Sequence, residues 1–158
     1  MNTEQTIKWL YDKALIEQTI LKYATAADLR DWDLLKSILS DEVYIDFTTS
    51  GGPSMTVTND QYIGQVTSLI PGFNVTQHQL TNFVIDINGD TANTVVYMQA
   101  EHFVQEGTSE IGRTIGGYYT HKLKKENGNW KICSLKLTAT WGRGDMRAFE
   151  IANKRANS

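Results

Sequence analysis

From His78 onward the chain is a succession of long alternating segments broken by Asn-Gly turns, a pattern that commits this half to an antiparallel meander with one buried face. His78 to Ile87 alternates, Asn88-Gly89 turns the chain, and Thr91 to Gln105 is rich in Val and aromatic residues. After a polar connection, Glu106 to Gly112, a second hairpin is predicted: Thr114 to Lys125 and Trp130 to Thr140, joined across Glu126-Asn127-Gly128-Asn129. Period two puts Val96, Met98, Ala100, His102 and Val104 on one face and Tyr97, Gln99, Glu101 and Phe103 on the other. Gly117, Tyr119, His121 and Leu123 share a face of the next strand, and Gly116-Gly117 inside it allows a bulge or a close approach.

The first half has a different period. Leu10, Ala14, Ile16, Ile20, Tyr23, Ala24 and Ala27 recur at helical spacing, so positions 4 to 29 read as one long helix or two closely joined ones, with Asp28 beside the apolar stripe. Asp31 caps a second helix, Trp32 to Leu39, and a short strand follows, Val43 to Phe47. Residues 48 to 54 read as a loop around Gly51-Gly52-Pro53. Thr58 and Gln61 form a capping box for a helix that runs through Leu69 and stops at Pro71-Gly72. Asp145 to Asn157 is a short helix or a tail. Helices first and a meander afterwards describe one α+β domain over 1–158, its sheet covered by helices on one side and twisted into a concave face that can close over a pocket.

Several function classes are excluded by what this order lacks. The 158 residues carry a formal charge of −3 and only short basic patches, Lys122-Lys124-Lys125 and Arg143-Arg147, so no footprint for a phosphate backbone exists. Cys133 is the sole cysteine, which leaves no intrachain disulfide, and it reads as an inert strand residue. The three histidines lack helical zinc spacing, no phosphate-cradling glycine loop occurs, and no nucleophile elbow is present. No segment approaches the roughly 20 apolar residues of a membrane span, and the amino terminus lacks a secretory pattern, so a cytoplasmic protein with no bound metal or cofactor is expected.

Asp28 and His78, each in mostly apolar surroundings on different elements, are the residues to which chemistry is assigned. A carboxylate that orients an imidazole and holds a proton on the far side of the ring makes a general base at neutral pH. Tyr23 has two readings, a hydroxyl that donates to a substrate or one that finds a core partner. His102 likewise is either a satisfied core polar group or a site residue, and His121 reads as structural or half exposed. Of the four tryptophans, Trp141 is the one expected to touch a ligand, since it follows the last strand.

These residues sit in segments with a familiar order: Ala27-Asp28-Leu29-Arg30-Asp31-Trp32-Asp33, Val43-Tyr44-Ile45-Asp46-Phe47, Thr76-Gln77-His78, Asn127-Gly128-Asn129-Trp130-Lys131 and Trp141-Gly142-Arg143. Together they resemble scytalone dehydratase and the wider SnoaL-like group of the nuclear transport factor 2-like (NTF2-like) fold. The resemblance implies a cone-shaped barrel, with N-terminal helices packed on a strongly curved antiparallel or mixed sheet around a deep pocket. It implies that Asp28 and His78 match the family's proton-abstracting dyad, that Tyr23 matches a tyrosine preceding the catalytic Asp in one dehydratase branch, and that His102 lies near a second pocket histidine. Ala27 and Phe47 stand where the dehydratase has tyrosines, Gly117 and Tyr119 replace a serine and an asparagine, and Thr140 replaces an arginine. The electrophilic half of the site is thus rebuilt.

The expectation is a cofactor-independent lyase, dehydratase-like, acting on a small apolar cyclic, polyketide or steroid-like substrate. Catalytic roles fall to Asp28, His78, Tyr23 and His102, and substrate contacts to Phe47, Met98, Tyr119 and Trp141. An isomerase or cyclase using the same dyad and a noncatalytic binder of small hydrophobic ligands are the alternatives. The resemblance also implies a homodimer or homotrimer through the outer sheet face, at Tyr97, Gln99, Glu101 and Phe103.

Overall fold

A computed structural model describes residues 2–158. Helix α1 (Thr3–Leu29) starts at a capping box, in which Asn2 Oδ1 accepts from the Gln5 amide and the Gln5 side chain accepts from the Asn2 amide. Its inward stripe is Asp12, Ile16, Thr19, Ile20, Tyr23, Ala24, Ala26 and Ala27, whereas Leu10 is exposed. Asp12 is therefore a buried acid within an apolar row. It accepts from Lys125 Nζ at 2.5 Å, Lys8 Nζ at 2.8 Å and Trp130 Nε1 at 3.0 Å. Burial opposes its ionisation, but these three donors outweigh it and hold the carboxyl down at about 2.

Helix α2 (Trp32–Ser37) is capped by Asp31, which accepts from the Leu34 amide at 2.9 Å. It ends earlier than its apolar pattern indicates, because Leu39 already opens strand β1 (Leu39–Asp46). A 3₁₀ turn (Thr48–Ser50) leads into β2 (Ser54–Thr58), a strand inside what composition marks in part as loop. The Thr58–Gln61 capping box is formed and opens α3 (Asn59–Thr67), which a second turn (Ile70–Gly72) separates from the sheet strands. Strands β3 (Val75–Asn88), β4 (Thr91–Glu106), β5 (Ser109–Glu126) and β6 (Asn129–Gly144) follow, and α4 (Arg147–Ala156) closes the chain.

The strands form one six-stranded sheet in the order β2-β1-β6-β5-β4-β3. All neighbours are antiparallel except β1 and β6, which run parallel. The expected cone-shaped, strongly curved barrel is not formed: β2 and β3 remain as free edges, no pairing joins them, and the sheet is open. The physical reason is coverage. The buried face is protected by α1, α2, α3 and α4, so the sheet has no need to close on itself to hide its apolar side. Two apolar clusters result. The larger packs α1, α2 and α3 on the sheet, and a smaller one gathers Phe73, Val104 and Ile111 around Ala148 and Ala152 of α4.

Irregularities in the ladder set which side chains face inward. β3 carries one extra residue between Thr81 and Val84, where the paired residues on β4 are Tyr97 and Val95, and Asn82 adopts a φ of 53°. The bulge switches the inward parity of β3, from Thr76, His78 and Leu80 before it to Phe83, Ile85 and Ile87 after it. Gly116 and Gly117 do mark a bulge against β6, but the close approach comes from the protein itself. A Cβ on Gly116 would meet the Trp141 ring at 1.9 Å, and one on Gly117 would meet the Thr138 carbonyl at 2.0 Å.

Candidate active site

Asp28 sits in the last turn of α1, where the helix exposes unpaired carbonyls and its negative dipole end. The next turn is made by Arg30 in the left-handed region, φ 58°, and its guanidinium closes the junction. It donates to the Asp28 carbonyl, to Thr76 Oγ1 at 3.2 Å and to the Phe73 carbonyl at 3.2 Å. One side chain thereby ties the end of α1 to the start of β3. Across that junction the Asp28 carboxylate takes two hydrogen bonds from one residue: the His78 amide to Oδ2 at 2.7 Å and His78 Nδ1 to Oδ1 at 2.7 Å.

Burial works to raise the Asp28 carboxyl, yet the bonds from the His78 ring and amide hold it below its ordinary value. The ionised carboxylate is acceptor only, so Nδ1 of His78 carries a proton and donates it, and in the neutral ring the free lone pair is that of Nε2. His78 lines a cavity of about 370 Å³, and Asp28 stands behind it, outside the lining. The space exists beside the ring because Ala27 and Ala100, the latter directly opposite His78 on β4, are too small to fill it.

His102 also lines the cavity, its ring 5.8 Å from that of His78 and nearly perpendicular to it. It packs against Phe73 at 5.0 Å and Phe149 at 4.8 Å, both of the smaller apolar cluster. Burial, with a smaller effect from His78, pushes its pKa down to about 4. Its Nδ1–H donates to the Arg113 carbonyl at 3.3 Å, which leaves Nε2 an acceptor at neutral pH. His121 is neither exposed nor in this cavity. It is fully buried, bonded through Nδ1 to Thr94 Oγ1 at 3.0 Å, and burial lowers it to about 3.

Of the remaining expected residues, Tyr23, Phe47, Met98 and Tyr119 line the cavity. Trp141 does not: it lies in a second groove with Tyr97, Gln99, Tyr118 and Thr140 on the side of the sheet away from the helices, and is half exposed. Tyr97, Gln99, Glu101 and Phe103 point the same way, as period two requires. Tyr23 has a core partner and also lines the cavity. Its hydroxyl bonds that of Tyr62 at 2.8 Å, and both rings face the cavity. Tyr62 was hidden in a helix identified by its capping box, where a lone tyrosine gives no signal of what it faces. Phe149 and Met146, which close the cavity from the carboxy-terminal segment, were equally silent.

Residues 9–136 match the SnoaL-like domain. The chain belongs to the SnoaL-like family. An uncharacterised protein of Mycobacterium tuberculosis, Rv2910c, is 33% identical over 122 residues, covering 77% of this chain and 80% of its own. Among solved structures, Kfla4162 of Kribbella flavida is 26% identical with a TM-score of 0.78, covering 94% of this chain and 98% of that one. A hexachlorocyclohexane dehydrochlorinase, LinA-type3 of Novosphingobium barchaimii, shares the fold at 19% identity and a TM-score of 0.74, over 89% and 94% of the two chains. The fold is the NTF2-like arrangement, N-terminal helices on a mixed sheet, that the resemblance implied. None of its described helices is long and apolar enough to cross a membrane.

Proposed function

We propose that this SnoaL-like protein is a cofactor-independent lyase that eliminates water or another leaving group from a small, largely apolar substrate. The observation that carries the reading is the paired 2.7 Å contacts from His78 to Asp28, with the His78 ring facing an apolar cavity. Nε2 of His78 would take a proton from carbon, and Asp28 would hold the tautomer and stabilise the imidazolium that forms. The fold shared with a protein named as a dehydrochlorinase supports elimination chemistry.

His102 has a narrower role than a general acid. With its pKa near 4 it is neutral at pH 7 and offers a lone pair, so it accepts from a substrate hydroxyl and does not protonate a leaving group. An isomerase would share the first step and return the proton to a different carbon, and a simple binding protein would leave its ligand unchanged. Replacing His78 with Gln keeps the ring volume roughly filled and removes the base. Turnover of a substrate found by screening should fall by about 10² to 10⁴-fold, with the melting temperature little changed. Retention of most activity by the folded variant sinks the assignment.

A further inference from the structure

Helix α1 is apolar on two opposite sides. One stripe faces the sheet, and a second row lies in solvent: Ile7 is 62% exposed, Leu10 53%, Tyr11 64% and Leu21 41%, with Ala14 exposed among them. At 3.6 residues per turn these five fall within an arc of about 100°, opposite Ile16 and Tyr23. A helix that covers a core needs one such stripe, and a second, left in water, marks a contact with another body. We propose that this row is an interface with a second copy of the chain, in which two α1 helices pack antiparallel about a two-fold axis at Ala14.

The first argument is that the row is complementary to itself. Ile7 stands seven residues before Ala14 and Leu21 seven after it. A two-fold axis at Ala14 therefore lays Ile7 against the partner's Leu21 and Leu21 against the partner's Ile7, as an isologous contact requires. Ala14 meets its own copy at the crossing point, where a methyl group lets the helix axes approach to about 8 Å. Leu10 and Tyr11 fill the space between the centre and each end.

The second argument is charge. Glu4 and Lys22 lie eighteen residues apart, five whole turns, so they stand on the same edge of the row. In an antiparallel pair each edge meets its own copy, which sets Glu4 beside the partner's Lys22 and Lys22 beside the partner's Glu4. The axial mismatch is about 3 Å, within reach of two long side chains. Neither residue has an ion-pair partner among the described residues of its own chain. The antiparallel setting also places the positive end of each helix dipole beside the negative end of the other.

The contact is modest in size. A standard interface buries about 800 Å² on each partner, more than one helical row supplies, so the dimer forms with a Kd on the order of micromolar. It uses the side of α1 turned away from the sheet, and the outer sheet face with Tyr97 and Trp141 takes no part in it.

The test uses the full chain. Sedimentation should show monomer passing to dimer as concentration rises through the micromolar range, and the dimer should be lost in Ala14→Arg but kept in Gln99→Arg on the outer sheet face. Glu4→Lys should weaken it several-fold, and the charge swap Glu4→Lys/Lys22→Glu should restore it. Register is read by oxidative cross-linking in a Cys133→Ser background. Ala14→Cys should link to itself, whereas Ile7→Cys and Leu21→Cys should link to each other when mixed and not to themselves. All substitutions on α1 are at exposed positions, and circular dichroism checks that each variant is folded. A monomer at every concentration, an assembly that survives Ala14→Arg or is lost in Gln99→Arg, or Ile7→Cys linking to its own copy overturns the proposal.

Discussion

At the scale of single residues, the decisive side chain after the dyad itself is Arg30. It is not among the residues that line the cavity, yet its three hydrogen bonds set where the end of α1 meets the start of β3, and so the distance between Asp28 and His78. A carboxylate at a helix carboxy-terminus is out of place by the dipole, and Arg30 supplies the compensating positive charge. Arg30→Ala should cost about 2 kcal/mol in urea unfolding. It should also turn the single Nδ1-protonated tautomer of His78, visible in the imidazole ¹⁵N shifts, into a mixture. A stability loss with an unchanged tautomer would show that Asp28 alone orders the ring. The pairing of Asp28 with His78 was legible from residue type and apolar setting, but the place of Arg30 was not, because a left-handed arginine looks like any surface arginine in one dimension.

At the scale of elements, α4 shapes the cavity without belonging to the sheet. Phe149 packs on Phe73 at 5.0 Å and on His102 at 4.8 Å, and it forms part of the cavity wall. Its docking depends on Gly72, where a Cβ would fall 1.9 Å from the Ala152 carbonyl and could be relieved only by moving backbone. Gly72→Ala should therefore lower stability by about 1–3 kcal/mol and raise amide exchange across 147–156, with the body of the sheet unaffected. Uniform exchange throughout the chain would contradict that local account. The elements themselves were well marked in the amino-acid order where a local signal exists: the Thr58–Gln61 box, the Asp31 cap and the hairpin turns. β2 was missed because Ser54–Thr58 is short, mostly exposed and an edge, so it has no alternating apolar side to read.

At the scale of the whole molecule, two imidazoles are buried neutral in the sheet: His102, lowered by burial to about 4, and His121, lowered by burial to about 3. An unfolded histidine titrates near 6.5, so below that pH the unfolded chain binds protons that these two sites refuse. Stability is fully present above pH 6.5 and drains away as pH falls toward 4. The slope is up to about 1.4 kcal/mol per pH unit for each ring. Urea unfolding at pH 7, 6 and 5 should show that loss. A His121→Leu variant, which removes one group beside Thr94 and Tyr119, should have a shallower slope, and an unaltered slope would argue against the buried neutral state.

The boundary between what the linear order determined and what only the tertiary structure decided follows the range of the forces involved. Caps, turns and the alternation of strands rest on interactions within a few residues, so the chain carries them in its own letters. The parallel pairing of β1 with β6 joins residues nearly a hundred positions apart, and with it come the order of the sheet and its two free edges. The assembly of Tyr23 with Tyr62, and the removal of Trp141 to the far side of the sheet, likewise depend on which faces meet. Distant contacts of this kind are set by how the whole apolar surface is covered, and here covering by helices left the sheet open while keeping a cavity beside His78.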